Sequence, residues 1–234
     1  MGAGEVHVWR ARLKCSADVH ARLWTSLSTD ERSRARRYRF ADDRDSFVVA
    51  RGILRAILAR YTGIEPAMLR FRYGSQGKPE LDAPDSTGAI AFNLAHSGGL
   101  AVYALARGRR VGVDIEAEHA NQNHARVSEM FFSQLEIDAL RQLPPKVQPE
   151  AFLACWTRKE AFLKATSEGL SRVLDEFQVS TNPDDSDPRL CVASCPEETT
   201  RWRLMDLDVA AGYRAAICVE GRVWQARFFD WALE

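Results

Sequence analysis

The sequence of 234 residues has no excess of charge of either sign and no apolar run long enough to cross a membrane. Lys plus Arg and Asp plus Glu each number 32, so no global electric field would attract nucleic acid or a membrane surface. The first residues also lack the apolar run of a signal peptide. These absences predict a cytoplasmic protein that binds neither nucleic acid nor membrane.

Cysteine is scarce, and its spacing matches no common framework. The odd number of cysteines and the lack of any C-x-x-C pair argue against a disulfide framework and against a zinc site. We therefore predict reduced thiols, most of them buried. The five positions are Cys15, Cys155, Cys191, Cys195 and Cys218.

Apolar residues make up 46% and charged residues 27% of the chain, as in an ordinary globular protein with a substantial core. Strand patterns and helix patterns both occur, which predicts an α+β protein. Their order is a strand, helices and strands, followed by acids, helices and strands. This order suggests two similar halves that meet near Gly108, residues 1–107 and residues 108–234.

The chain is organised around a short strand that carries two acids. Val111, Val113 and Ile115 alternate with polar positions, so Asp114 and Glu116 share the opposite face. Two such carboxylates repel each other unless a cation lies between them, and Mg²⁺ commonly fills this role together with phosphate oxygens. The alternative is an exposed edge strand with two solvated acids. A turn at Gly108 predicts that this strand forms a hairpin with the strand at 100–106.

A helix from Glu150 to Ser167 has an apolar face that includes Trp156. Lys159 and Glu160 fall inside this face, and Lys164 lies at its margin. Charges within an apolar face are costly unless they are paired or bind a ligand. A structural Lys–Glu pair would explain them. A group that binds Mg²⁺ and a diphosphate would explain them equally.

The N-terminal half carries most of the candidate anion contacts. Ser28 to Glu31 forms a capping-box pattern followed by an arginine-rich helix that includes Arg34. On the next helix, predicted at about 43–61 with Gly63 as its stop, Arg51 and Arg55 lie one turn apart and could reach a common anion. Two further candidates are Lys78, in a Gly/Pro loop, and His96, at a strand end. Each of these features could instead be structural or merely solvated.

Three motifs together resemble the signatures of the 4′-phosphopantetheinyl transferases, specifically the Sfp-like class. They are Phe92-Asn-Leu-Ala-His-Ser97, Gly112-Val-Asp-Ile-Glu116 and Trp156-Thr-Arg-Lys-Glu-Ala-Phe-Leu-Lys164. The resemblance extends to Gly77-Lys78-Pro79, to Phe131-Phe132-Ser133 and to Gly169-Leu170-Ser171. It implies two pseudo-twofold related α/β halves with coenzyme A in the cleft between them. It also implies Mg²⁺-dependent transfer of the phosphopantetheine arm to a serine of an apo acyl or peptidyl carrier protein, with release of 3′,5′-ADP.

The resemblance assigns roles to individual residues. It implies that Asp114, Glu116 and Glu160 bind Mg²⁺ and that Glu160 also accepts the proton of the serine. It implies that Lys159 and Lys164 contact the diphosphate. The remaining coenzyme A contacts are implied for Lys78 and His96, and the contacts to the nucleotide phosphates for Arg34 and Arg51. Two positions depart from the family pattern: Ala95 replaces a common Ser, and Glu31 occupies a place that is often basic.

Two other functions use the same residues. A Mg²⁺-dependent phosphohydrolase would use the acids with water as acceptor, but the lysine-rich helix favours a large diphosphate donor. A non-catalytic module that binds coenzyme A or a carrier would be favoured if one metal acid were absent, and none is. The resemblance further implies a monomer that docks its carrier beside the segment from Glu118 to Phe132, with Met130, Phe131 or Phe132 as apolar anchor and Arg126 at its rim. At least one of these three side chains should be buried, because Phe-Phe pairs usually bury one ring.

Overall fold

The computed structural model describes residues 1–2, 4–82, 90–118, 123–169 and 172–232. Alternating apolar residues form a four-stranded sheet in the order β11-β1-β5-β4. Strand β1 runs parallel to β11 and antiparallel to β5, and β5 runs antiparallel to β4. The strands are β1 (Glu5–Arg12), β4 (Ile90–Ser97), β5 (Leu100–Arg107) and β11 (Gln225–Asp230). β4 and β5 form a hairpin whose two turn residues, Gly98 and Gly99, have φ values of 55° and 82°, a conformation that favours glycine.

Three helices belong to the N-terminal part of the chain: α1 (Ala17–Ser26), α2 (Thr29–Ala35) and α3 (Ala41–Thr62). α3 ends at Gly63 (φ 71°), as predicted. It packs Val49, Ile53 and Ile57 onto one face of the four-stranded sheet, in a core that includes Tyr103. A short hairpin of β2 (Phe71–Tyr73) and β3 (Pro79–Leu81) follows.

A second sheet has the order β6-β10-β9. Its strands are β6 (Val111–Ala117), β9 (Trp202–Asp206) and β10 (Tyr213–Glu220), and all of its pairings are antiparallel. Val113 and Ile217 on one face pack against Val8 and Val102 of the first sheet. On the other face, Cys218 packs against helix α6 (Gln148–Thr166) through Phe162. The layers therefore run α3, first sheet, second sheet, α6.

The second half of the chain also contains α4 (His124–Phe131), α5 (Gln134–Gln142), β7 (Gln178–Val179), β8 (Leu190–Cys191) and α7 (Pro196–Arg201), of which α4, α5 and β7 contact α6. The predicted mixture of helices and strands is confirmed. No helix among the described residues is long and apolar enough to cross a membrane. All five cysteines are unpaired, but only Cys155 and Cys218 are fully buried, so the expectation that most would be buried is wrong.

The predicted hairpin between the strand at 100–106 and the acid-bearing strand is wrong. Both edges of β5 are already paired, with β1 and with β4, so β6 crosses into the second sheet. The chain's last strand, β11, returns to pair with β1. The division at residue 107 therefore does not separate the two sheets completely, because β11 comes from the second predicted half.

Candidate active site

Strand β6 presents its two acids to helix α6. Asp114 is only 4% exposed, whereas Glu116 is half-buried and accepts a hydrogen bond from the Ser97 hydroxyl at 2.9 Å. On the same face, two residues before Asp114, lies Gly112. A Cβ at Gly112 would lie 2.2 Å from the carbonyl oxygen of Ala161. Glycine is therefore required for the close approach that brings α6 over the acids.

Helix α6 contributes Glu160 and Lys164, which lie one turn apart. The Lys164 ammonium forms an ion pair with Asp114 Oδ1 at 2.5 Å. Both side chains line a cavity of about 430 Å³ together with Asp114 and Glu116. The structure thus brings together the three predicted acids and one of the two predicted lysines.

The acids of this cavity are held in an unfavourable environment. Burial raises the pKa of Asp114 to about 7; Lys164 opposes this, and the charges of Glu116 and Glu160 add to it. Burial also raises the pKa of Glu160, against the effect of Lys164. Two lysines beside Glu160, as the resemblance implies, would lower the pKa of this carboxyl. Only Lys164 acts on it in the structure, and burial outweighs the effect of that one charge.

One oxygen at this site is unsatisfied. Asp114 Oδ2 is buried and has no hydrogen-bond partner among the described residues, which is uncommon for a carboxylate oxygen. Carboxylate oxygens are the ligands that Mg²⁺ prefers. Within the described ranges, no three His, Cys, Asp or Glu side chains are already arranged to hold a metal ion. Lys164 and Ser97 occupy one oxygen each of Asp114 and Glu116, which leaves Asp114 Oδ2 available to a cation.

Two further cavities adjoin the first one, since they share lining residues with it. One of about 290 Å³ is lined by Lys78, Asn93, Glu160 and Lys164. The other, of about 180 Å³, is lined by Arg34, Arg51, Asn93 and His96. His96 also lines the cavity with the acids. A continuous series of cavities therefore connects the acids with the predicted nucleotide contacts.

The environment of His96 favours the neutral form of its ring. Its loss of solvation, followed by the nearby charge of Lys164, lowers the pKa of this ring. His96 is therefore mostly neutral at pH 7, so one of its ring nitrogens donates a hydrogen bond and the other accepts one.

Lys78 is largely occupied by the protein itself. Its ammonium donates to the carbonyl oxygens of Val111 at 3.0 Å and Lys164 at 2.5 Å. Burial lowers the pKa of Lys78 to about 8. Lys78 therefore connects the end of α6 with the start of β6 and keeps one donor for a ligand.

The role of Lys159 at a diphosphate is wrong. Its side chain is fully buried, forms an ion pair with Glu136 at 2.9 Å and donates to the carbonyl oxygens of Leu174 and Phe177. A structural Lys–Glu pair does exist, but the acid belongs to α5 and not to α6. Lys159 thus joins α6 to α5 and to the segment from Leu174 to Phe177, and it does not line the three cavities described above.

Two family models match the chain. The model of the 4'-phosphopantetheinyl transferase superfamily matches residues 110–218, and that of the 4'-phosphopantetheinyl transferase N-terminal region matches residues 13–107. The 4'-phosphopantetheinyl transferase HetI of Nostoc sp. is 35% identical over 97% of this chain and 92% of its own length. The chain belongs to the 4′-phosphopantetheinyl transferase family.

Two further relatives indicate the class of transferase to which the chain belongs. A 4'-phosphopantetheinyl transferase of Bacillus subtilis is 31% identical over 72% of this chain and 73% of its own. Sfp of Bacillus subtilis is 26% identical over 87% of this chain and 86% of its own. The protein is thus an enzyme of the Sfp-like class. A solved structure titled as an ACPS-CoA complex aligns with 49% of the chain at a TM-score of 0.34 and 20% identity, too weak a likeness to support a conclusion.

Sequence analysis quoted Asn93 and Ser97 within a motif but assigned no role to either of these two residues of the candidate site. Asn93 accepts a hydrogen bond from the Val113 amide, and the Ser97 hydroxyl accepts one from the Ala117 amide. These side chains of β4 join the first sheet to β6, which pairs only within the second. Their spacing of four residues along a strand places them on one face with the departure Ala95, a pattern that could have indicated their role. Leu170 and Ser171, from the third extended motif, lie outside the described residues.

Proposed function

We propose that the enzyme transfers the 4′-phosphopantetheine arm of coenzyme A to a serine hydroxyl of an apo acyl or peptidyl carrier protein, with Mg²⁺ as cofactor and 3′,5′-ADP as product. The observation that carries this proposal is Asp114 Oδ2, a buried oxygen with no partner in the part of the chain that the structure describes, in a cavity that Glu116 and Glu160 also line. A buried acid of this kind, with a raised pKa, is typical of a functional site.

Asp114, Glu116 and Glu160 would hold the metal ion. All three offer hard oxygen ligands, and their mutual repulsion is part of what raises the pKa values of Asp114 and Glu160. When bound, Mg²⁺ would neutralise charge on the diphosphate. Lys164, which lines both this cavity and the adjoining one, would contact the phosphate oxygens.

Glu160 is the proposed acceptor of the serine proton. Burial raises the pKa of this carboxylate, and a higher pKa makes a better general base near neutral pH. The same residue is a proposed metal ligand. Whether the carboxylate itself or a water that it holds takes the proton is a separate question, which Glu160→Gln addresses: if proton removal needs the carboxylate, kcat stays low even at saturating Mg²⁺.

The proposed coenzyme A site follows the series of cavities away from the acids. Lys78, with its remaining donor, and neutral His96 would contact the middle of the molecule, and Arg34 and Arg51 would contact the nucleotide phosphates. The cavity with the acids is lined from β4 on one side and from β6 and α6 on the other, whereas the cavity with Arg34 and Arg51 is lined by residues of the first half. This supports a cleft between two pseudo-twofold halves, residues 1–107 and 108–234, as the place of binding.

The carrier protein is proposed to dock beside the segment from Glu118 to Phe132, which includes α4. Met130 is 64% exposed and Phe131 40% exposed, whereas Phe132 is buried, so one of the three candidate anchors is core, as predicted. Arg126 is exposed on the same helix and suits an acidic partner. Residues 119–122 of the predicted docking segment lie outside the described residues. We propose that the enzyme acts as a cytoplasmic monomer.

The test is to incubate the enzyme with coenzyme A, Mg²⁺ and an apo carrier protein, and then to measure the mass of the carrier and the nucleotide products. We expect the carrier to gain one phosphopantetheine group and 3′,5′-ADP to appear in equal amount, both only with divalent metal. Cleavage of coenzyme A without any gain on the carrier would indicate a phosphohydrolase. Binding without either product would indicate a non-catalytic module.

A further inference from the structure

A buried ion cluster lies behind the cavity that Arg34 and Arg51 line. Glu31 is 1% exposed and accepts hydrogen bonds from Arg51 Nε at 2.5 Å and from Arg55 Nε at 2.7 Å. A buried carboxylate is costly unless it is fully paired, and two arginines satisfy it. The anion that Arg51 and Arg55 share is therefore the protein's own, and the cluster keeps one net positive charge.

The two arginines differ in what they have left to offer. Arg55 donates further to the carbonyl oxygens of Pro66 and Leu69, so its guanidinium is turned inward. Arg51 donates through Nη2 to the Tyr73 hydroxyl at 2.7 Å. Its Nη1 has no hydrogen bond or ion pair with any residue that the structure describes, and the side chain lines the cavity.

We infer that Glu31 is a positioning residue, which together with Tyr73 fixes the guanidinium of Arg51 so that Nη1 faces the cavity beside Arg34. This arrangement sets the preference of the enzyme for a donor that carries a 3′-phosphate. The inference rests on the proposed binding of the nucleotide phosphates at Arg34 and Arg51. Two anchored nitrogens define the plane of a guanidinium, so the third is preorganised and loses little freedom when an anion binds.

The opposite view is that Glu31 weakens the site, because its negative charge cancels part of the charge of Arg51. The two views predict opposite effects of Glu31→Gln. Glutamine preserves the capping box, in which the Ser28 amide donates to Glu31 Oε2 at 2.9 Å. If the amide oxygen of the substituted side chain stays with Ser28 and Arg55, its NH₂ group faces Arg51 Nε. Donor then opposes donor, and Arg51 loses its orientation.

The experiment measures by calorimetry the Kd of coenzyme A and of dephospho-coenzyme A for the full-length enzyme and its variants. A charge-assisted contact of this kind corresponds to a wild-type preference for coenzyme A of about 10- to 100-fold. We expect Glu31→Gln to reduce that preference about tenfold, with the loss in KM for coenzyme A rather than in kcat. Tyr73→Phe, which removes only the second anchor, should reduce it by a smaller factor.

The matched control is Ser28→Ala, which loosens the same capping box but leaves the Arg51–Glu31 contact intact. It should lower the melting temperature without changing the preference. A preference that rises in Glu31→Gln shows that the acid is a competing charge. A preference that is unchanged in both Glu31→Gln and Tyr73→Phe shows that Glu31 belongs to an internal ion cluster only. If Glu31→Gln does not fold, Tyr73→Phe decides. A wild type without any preference overturns both the inference and the proposed nucleotide contacts, whereas the carrier mass assay reports separately on transfer.

Discussion

Replacing Gly112 by Ala tests whether the contact between β6 and α6 assembles the acids. The added Cβ would lie 2.2 Å from the Ala161 carbonyl oxygen and 2.3 Å from the Ala165 amide nitrogen. Both are backbone atoms of α6, so no side-chain rotation can relieve the clash. Ordinary contact begins at 3.4 Å, and the helix must therefore move away from the strand by about 1 Å.

This displacement has two separable consequences. Overpacking of this kind costs about 1–3 kcal/mol of the free energy of unfolding. The displacement also moves Glu160 and Lys164 away from Asp114, and a misplacement of about 1 Å can cost about 100-fold in rate. We therefore expect kcat to fall by about two orders of magnitude while most of the protein remains folded.

The measurement combines urea unfolding with kcat for transfer to a carrier, at a temperature where both forms are folded. The control is Val219→Ala on β10, because Val219 is fully buried in the core between the sheets and does not face α6. It should destabilise the fold by about 1–3 kcal/mol and leave kcat within about twofold. If Gly112→Ala loses stability but no more activity than this control, the close approach does not position the site.

Three further predictions concern charge. Because burial raises the pKa of Asp114 to about 7, its carboxylate opposes folding, so protein free of divalent metal should lose stability as pH rises through about 7. Asp114→Asn should abolish this loss in melts with chelator at about pH 6 and about pH 8; an unchanged pH dependence would contradict the assignment. Lys159→Met leaves Glu136 buried without its cation and should cost about 3–5 kcal/mol in urea unfolding with KM for coenzyme A unchanged, whereas a raised KM would restore Lys159 to the diphosphate. Arg126→Glu should raise KM for an acidic carrier but not for coenzyme A, and equal effects on both would exclude the docking surface.

Local signals predicted most elements but not their partners. Gly63 ends α3 as the sequence indicated, and the alternation from Val111 to Ile115 placed Asp114 and Glu116 on one face. The expected pairing of β6 with β5 failed because turn residues do not show which strand edges are already occupied. That information lies in β1, which takes the second edge of β5 from about 100 residues away in sequence.

The error at Lys159 has a related cause. Helix α6 is covered on both sides, so an apolar face does not tell which neighbour each residue meets. Successive residues on a helix point about 100° apart, and Lys159 therefore reaches α5 while Glu160 reaches the cavity beside β6. The capping box at Ser28 was readable from the sequence, but the pairing of its Glu31 with Arg51 and Arg55 was not, because these partners follow 20 and 24 residues later.

The buried acids of this protein differ in how completely they are compensated, and this difference locates the chemistry. Glu31 has two arginines, and although burial acts to raise its pKa, these charges hold it below the ordinary value. Glu136 has Lys159, the Ser133 amide and hydroxyl, and the Val179 amide. Asp114 has a single lysine, an oxygen without a partner among the residues that the structure describes, and a raised pKa. Two buried carboxylates are fully satisfied and the third is left incomplete beside a cavity, and this contrast supports the proposal that Asp114 binds a ligand.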